Sequence, residues 1–202
     1  MTCATLPDSR KQMRPALFLD RDGVINADHG YVYRQGDFQF IDGIFDLCRF
    51  AKASGYWLFV VTNQAGIGRG LYTEADFHEL TRWMCDVFEQ EECAIDKVYF
   101  CPTHPESGVG HYKVESMRRK PNPGMILEAA GEYAVDLARS VLIGDKLSDI
   151  QAGQTAGIEN NFLVSRRDAA TPSGYSATVI RDLSEARSLL AGLADERGGG
   201  TN

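Results

Sequence analysis

Several short apolar runs, each stopping at polar residues, constrain this 202-residue chain most. Leu17-Phe18-Leu19 stops at Asp20-Arg21-Asp22-Gly23, and Leu58-Phe59-Val60-Val61 stops at Thr62-Asn63-Gln64. Val141-Leu142-Ile143-Gly144 stops at Asp145-Lys146. Runs of this length between turn residues read as buried strands. Stretches of helical period separate them. Strands alternating with helices predict an α/β protein: a Rossmann-like three-layer sandwich around a mostly parallel sheet.

The expected strands cover residues 15–20, 56–61, 97–100, 141–144 and 161–165. Asp42 is expected to cap a helix running to Ser54, with Gly55 as its stop. Thr73-Glu74-Ala75-Asp76 reads as a capping box opening a helix to Gln90. Asn122-Pro123 reads as a cap followed by the first helical residue. Further helices are expected from Lys146 to Ala156 and over 182–193. Residues 21–41 and 101–121 read as loops. The expected division is a loose leader over 1–14, one domain over 15–193 and a flexible tail over 194–202.

In a parallel sheet the carboxyl ends of the strands share one edge, where ligands bind. Asp20 and Asp22, two apart, share a face if strand geometry persists. Two carboxylates there suit a metal ion, or they divide nucleophilic from acid–base work. The later strand ends add Thr62, Asn63, Asp145 and Lys146, and Lys120 precedes a helix. Carboxylates, a hydroxyl and cations together suit Mg²⁺-assisted phosphoryl transfer. Gly66-Ile67-Gly68-Arg69-Gly70 lacks the lysine and hydroxyl pair of a P-loop and reads as a turn beside the site.

These residues resemble a known family. Asp20-x-Asp22-Gly23, Thr62, Lys120 and Gly144-Asp145-x-x-x-Asp149 form the pattern of the haloacid-dehalogenase-like (HAD) phosphatases. Asp28-His29-Gly30-Tyr31, Thr62-Asn63-Gln64-Ala65 and Arg119-Lys120-Pro121 bring it closer to the heptose bisphosphate and histidinol-phosphate phosphatases. The resemblance implies hydrolysis of a small sugar phosphate through an aspartyl phosphate. Heptose 1,7-bisphosphate is the leading substrate, with histidinol phosphate or another small ester as the alternative. A non-catalytic phosphate-binding protein is the alternative of another class.

The resemblance also implies roles. Asp20 is the nucleophile and Asp22 the acid and then the base. Thr62 and Lys120 hold the phosphoryl oxygens. Mg²⁺ is held by the Asp20 carboxylate, the Asp22 carbonyl and Asp145, with Asp149 orienting from behind. Asp28, His29, Gly30, Tyr31, Asn63, Gln64, Ala65, Arg119 and Lys146 bind substrate. Relatives carry a zinc loop built on Cys-x-His and Cys-x-Cys pairs. Here Cys101 remains, while Thr103, Ser116 and Arg118 occupy the other three positions. Zinc is not expected, because a structural site normally takes four nitrogen or sulfur ligands. Hydrogen bonds and packing of Tyr112 or Val109 are expected to hold that loop instead. No large cap insertion separates Asn26 from Lys120.

A formal net charge of −7 disfavours nucleic-acid and anionic-membrane partners. Residues 1–14 carry no apolar signal core, and no apolar run reaches membrane-spanning length. The five cysteines are an odd number, and Cys48 and Cys85, in helix-like amphipathic runs, read as reduced core thiols. A cytoplasmic monomer is the expectation.

Overall fold

The computed structural model describes residues 13–165 and 174–198. Six strands form one sheet: β1 (Ala16–Leu19), β2 (Trp57–Asn63), β3 (Lys97–Cys101), β4 (Val141–Gly144), β5 (Asn160–Val164) and β6 (Thr178–Ile180). Their order is β3-β2-β1-β4-β5-β6, and every pairing is parallel. The chain reverses its direction of winding at β1, so the crevice beside β1 and β4 is the place where such a sheet accepts a ligand.

Strand alternation builds two cores. Leu17, Leu19, Leu58, Val60, Val141 and Ile143 face one way. They pack on α1 (Ile44–Ala53), α3 (Glu74–Gln90) and α6 (Leu183–Gly198) through Leu47, Met84 and Leu190. Ala16, Phe18, Phe59, Val61, Tyr99 and Leu142 face the other way. They meet Met125 and Ile126 of α4 (Gly124–Glu132) and Ile150 of α5 (Leu147–Ala156). A sheet covered on both faces explains why its strands read as unbroken apolar runs.

The local signals hold with a few differences. The Thr73 capping box is formed, with Asp76 Nα donating to Thr73 Oγ1 at 3.1 Å and Thr73 Nα to Asp76 Oδ2 at 2.8 Å. Asp42 does not cap α1; Gly43 occupies that position with φ of 86°, where glycine is least strained. Pro123, not Asn122, stands at the cap of α4, and Asn122 instead donates to the Ser116 carbonyl. The Gly66–Gly70 turn contains one helical turn, α2 (Ala65–Gly68). Strand β6 had no sequence expectation, and α6 extends past residue 193 to Gly198.

Most of the expected leader (residues 1–12) and the end of the expected tail (199–202) lie outside the described residues. Among the described residues no helix is long and apolar enough to cross a membrane, and the four described cysteines are unpaired.

Candidate active site

β1 ends at Leu19, and Asp20 still donates its backbone N–H to the Ile143 carbonyl at 3.0 Å. The chain then turns tightly: Arg21 O accepts from Ile25 and Asn26, and Gly23 N–H donates to Asn26 O at 2.7 Å. The turn keeps Asp20 and Asp22 on one cavity although the strand between them has ended. That cavity holds about 340 Å³ and is also lined by Asp28, Tyr31, Asn63, Lys120 and Lys146.

Lys120 is its buried cation. Nζ lies 2.9 Å from Asp20 Oδ1 and 2.7 Å from Asp149 Oδ1, and donates to Val61 O at 2.8 Å. Asn63 brackets the Lys120 backbone, accepting its N–H at 3.0 Å and donating to its carbonyl at 2.9 Å. The strand-end Asn63 therefore ties β2 to the segment that delivers the lysine.

Burial pushes the Asp20 carboxyl up to about 7 against the pull of Lys120, with Asp149 and Asp22 raising it further. Burial alone would lower Lys120, but Asp149 and Asp20 outweigh it and hold the ammonium above its ordinary range. Burial also carries Asp145 up to about 6, with Lys146 opposing.

Asp20, Asp145 and Asp149 each bring a carboxylate oxygen within 4.8 Å of the others. Among the described residues this is the one such grouping of His, Cys, Asp or Glu side chains. Asp145 Oδ1 is buried with no hydrogen-bond partner. A Cβ on Gly23 would lie 2.4 Å from Asp145 Oδ2, and Gly23 has φ of +93°. An orphaned buried carboxylate oxygen beside two more carboxylates is the hard-oxygen donor set that suits Mg²⁺. The residues fit the ion. Asp149, expected only behind the metal, stands within this cluster, yet both its oxygens are engaged: Oδ1 by Lys120 and Oδ2 by the Lys146 backbone N–H at 2.9 Å.

Asp28 accepts the Gly30 N–H at 2.9 Å and meets Lys146 Nζ at 3.2 Å. Burial would raise Asp28, but these two donors leave it below the ordinary carboxylate range. Gly30, Tyr31, Gln64 and Ala65 also line the cavity. His29 lies in adjacent depressions instead. Arg119 does not line the cavity; its Nη1 donates to the Thr103 carbonyl at 3.1 Å. Thr62 is buried behind the lining, its Oγ1 accepting from Gln64 Nε2 at 2.9 Å. Gly66, Tyr72 and Ser148 line the cavity without having been singled out as site residues. Tyr72, between Leu71 and Thr73, follows the Gly-rich turn with no diagnostic spacing, and its approach to the site depends on that turn.

The 101–121 loop is closed by protein–protein bonds. Cys101 Sγ and Thr103 Oγ1 are 3.3 Å apart. Arg118 N–H donates to Ser116 Oγ at 3.1 Å, and Arg118 pairs with Glu128 at 3.0 Å. Cys101, Thr103, Ser116 and Arg118 thus bond to their neighbours. His104 Nδ1 accepts the Glu106 and Ser107 N–H groups. Tyr112 packs beside Ile67 and Phe77 and donates to Glu74 at 2.9 Å. Val109 contributes its backbone N–H, to Gly68 O at 2.7 Å, while its side chain is exposed.

Fold and site together define a hydrolase of the HAD-like class, and a family model for HAD-like hydrolases matches residues 117–186. The chain belongs to the D-glycero-D-manno-heptose-1,7-bisphosphate 7-phosphatase family. It is 55% identical over 183 residues to the D-glycero-alpha-D-manno-heptose-1,7-bisphosphate 7-phosphatase of Burkholderia mallei, covering 91% of this chain and 97% of that one. It is 45% identical to the corresponding beta-heptose enzyme of Escherichia coli K12, over 81% and 85% of the two chains. A HAD-like protein from Mesorhizobium loti superposes with a TM-score of 0.82 at 38% identity, covering 91% and 87%. The D,D-heptose 1,7-bisphosphate phosphatase of B. bronchiseptica, solved with magnesium and phosphate, superposes with a TM-score of 0.75 at 28% identity, covering 88% and 98%.

Proposed function

We propose that this chain is a cytoplasmic, Mg²⁺-dependent phosphatase that removes the C7 phosphate of D-glycero-D-manno-heptose 1,7-bisphosphate. The carrying observation is Lys120 held between Asp20 and Asp149 at the edge where Asp145 keeps an unpartnered buried oxygen. In this reading the enzyme is a monomer.

Asp20 Oδ attacks phosphorus, and the bond from phosphorus to the sugar oxygen breaks. Asp22 gives its proton to that oxygen, so the sugar leaves as an alcohol. Water then attacks the aspartyl phosphate, Asp22 takes its proton, and Asp20 is regenerated as phosphate departs. Lys120 and Thr62 offer donors to the phosphoryl oxygens as charge moves outward. Asp20, the Asp22 carbonyl and Asp145 would hold Mg²⁺, which offsets repulsion between the anionic nucleophile and phosphate. Asp149 keeps Lys120 aimed at Asp20. Asp28, Tyr31, Ala65 and Lys146 contact the sugar. Arg119 and His29 meet the distal phosphate at the rim once Arg119 exchanges the Thr103 carbonyl for it.

Zinc has no part in this reading, because Thr103, Ser116 and Arg118 replace ligands. The test is phosphate release from both anomers of heptose 1,7-bisphosphate and from histidinol phosphate, with Mg²⁺ or EDTA. Faster turnover of histidinol phosphate, or equal rates in EDTA, would refute the proposal.

A further inference from the structure

Gln64 stands among the residues expected to bind the sugar, yet its side chain is spent inside the protein. It is 1% exposed. Its Nε2 donates to Asp22 Oδ2 at 3.1 Å and to Thr62 Oγ1 at 2.9 Å. Its Oε1 accepts the Tyr72 hydroxyl at 2.5 Å. With Asp22 ionised, the amide orientation is fixed. Turned over, it would set a carbonyl oxygen against a carboxylate oxygen, two acceptors with no proton between them. With the NH₂ toward Asp22, the oxygen must face Tyr72, and the phenol must donate.

Tyr72 is built to stay there. Its ring stacks on Tyr33 with centroids 5.0 Å apart and planes 6° apart. A Cβ at residue 66 would fall 2.2 Å from Tyr72 Cε1, so Gly66 admits the ring. Burial, opposed by Arg21 and helped by Asp22, pushes the phenol up to about 12, so it keeps its proton in the working range.

Asp22 is held as well by Arg21 Nη2, at 2.9 Å from Oδ2 and 3.0 Å from Oδ1, and by Asn26 Nδ2, at 3.0 Å from Oδ1, so Gln64 adds the contact that links Asp22 to Thr62. Thr62 Oγ1, having accepted from Gln64, keeps its own hydrogen to donate.

We propose that Tyr72 and Gln64 are positioning residues: one amide, clamped by one phenol, sets both the acid–base carboxylate Asp22 and the hydroxyl of Thr62. This rests on the reading of Asp22 as acid and base. Its consequence depends on the leaving group. A sugar alkoxide needs the proton from Asp22, whereas a nitrophenolate departs without one.

The experiment is single-turnover release of the leaving group, sugar or nitrophenolate, from heptose bisphosphate and p-nitrophenyl phosphate by wild type, Tyr72→Phe and Asp22→Asn with Mg²⁺. This isolates the first half-reaction from aspartyl-phosphate hydrolysis, which uses Asp22 with either substrate. Phe retains the ring and its stacking on Tyr33. Tyr72→Phe is expected to slow single-turnover release of the sugar about tenfold, with half-saturation unchanged, and to leave release of nitrophenolate within about twofold. Equal loss on both substrates, or no loss on the sugar phosphate, would overturn the positioning role. If Tyr72→Phe melts early, Gln64→Met, of similar length without the amide, carries the same comparison. Asp22→Asn separates the two ideas: full sugar-phosphate activity in that variant would remove Asp22 as the acid, whatever Tyr72→Phe does.

Discussion

The ammonium of Lys120 sits 2.9 Å from a carboxylate oxygen of Asp20, and both residues are buried. Lys120 comes from the loop after β3, and Asp20 from the end of β1. The pair therefore exists only when the 101–121 loop is seated against the sheet. Removing the cation would leave Asp20 and Asp149 as uncompensated buried charges. Lys120→Ala should cost about 3–5 kcal/mol at neutral pH. Urea unfolding would measure it, and the deficit should shrink on acidification as Asp20, raised to about 7, takes up its proton. A loss independent of pH would argue against the ion-pair account.

Metal-free Asp20 and Asp145, raised to about 7 and about 6, hold protons that an ion must displace. The sign follows from those directions. A folded value above the unfolded one makes protonation favour the fold, and that advantage is lost as pH rises through the folded value. Without metal, stability should therefore rise on acidifying from pH 8 toward 6. Mg²⁺ affinity should rise with pH over the same window, with proton release on binding seen by calorimetry in buffers of different ionisation enthalpy. Affinity that does not change with pH would contradict both shifts.

Gly23→Ala places a methyl 2.4 Å from Asp145 Oδ2 on a backbone with φ of +93°. The strain should cost about 1–3 kcal/mol. More tellingly, activity should require higher Mg²⁺, because Asp145 must move. An unchanged Mg²⁺ dependence would remove Asp145 from the metal site.

The loop residues at the relatives' zinc positions are joined by hydrogen bonds of their own. Metal analysis of the purified protein should find zinc far below one equivalent, and a zinc-selective chelator should leave the melting temperature unchanged. Stoichiometric zinc would mean that Cys101 recruits ligands the loop does not now present.

Much of this was legible before the coordinates. β1, β2 and β4 are covered on both faces, so their runs are uninterrupted and their polar ends stand out. β6 buries fully only Ile180 among its three residues, too short a pattern to show. Gly43 was missed because Asp42 is the better cap by residue type, while the turn there needs a positive φ. At the site, residues near a strand end could be placed by sequence. Gln64 could be placed too, but its partners could not: Asp22 lies 42 positions away. Arg119's hold on the Thr103 carbonyl likewise depends on how one loop folds on itself.

The central claim is that Asp20 is the nucleophile of a Mg²⁺-dependent phosphatase. The most direct measurement is phosphate release from heptose 1,7-bisphosphate by Asp20→Asn, beside wild type, at saturating Mg²⁺. Asn retains the size and its carbonyl keeps an acceptor near Lys120, so the variant should fold. The account predicts a loss of at least about 10³-fold in kcat, because no covalent intermediate can form. Wild-type turnover by Asp20→Asn would contradict it.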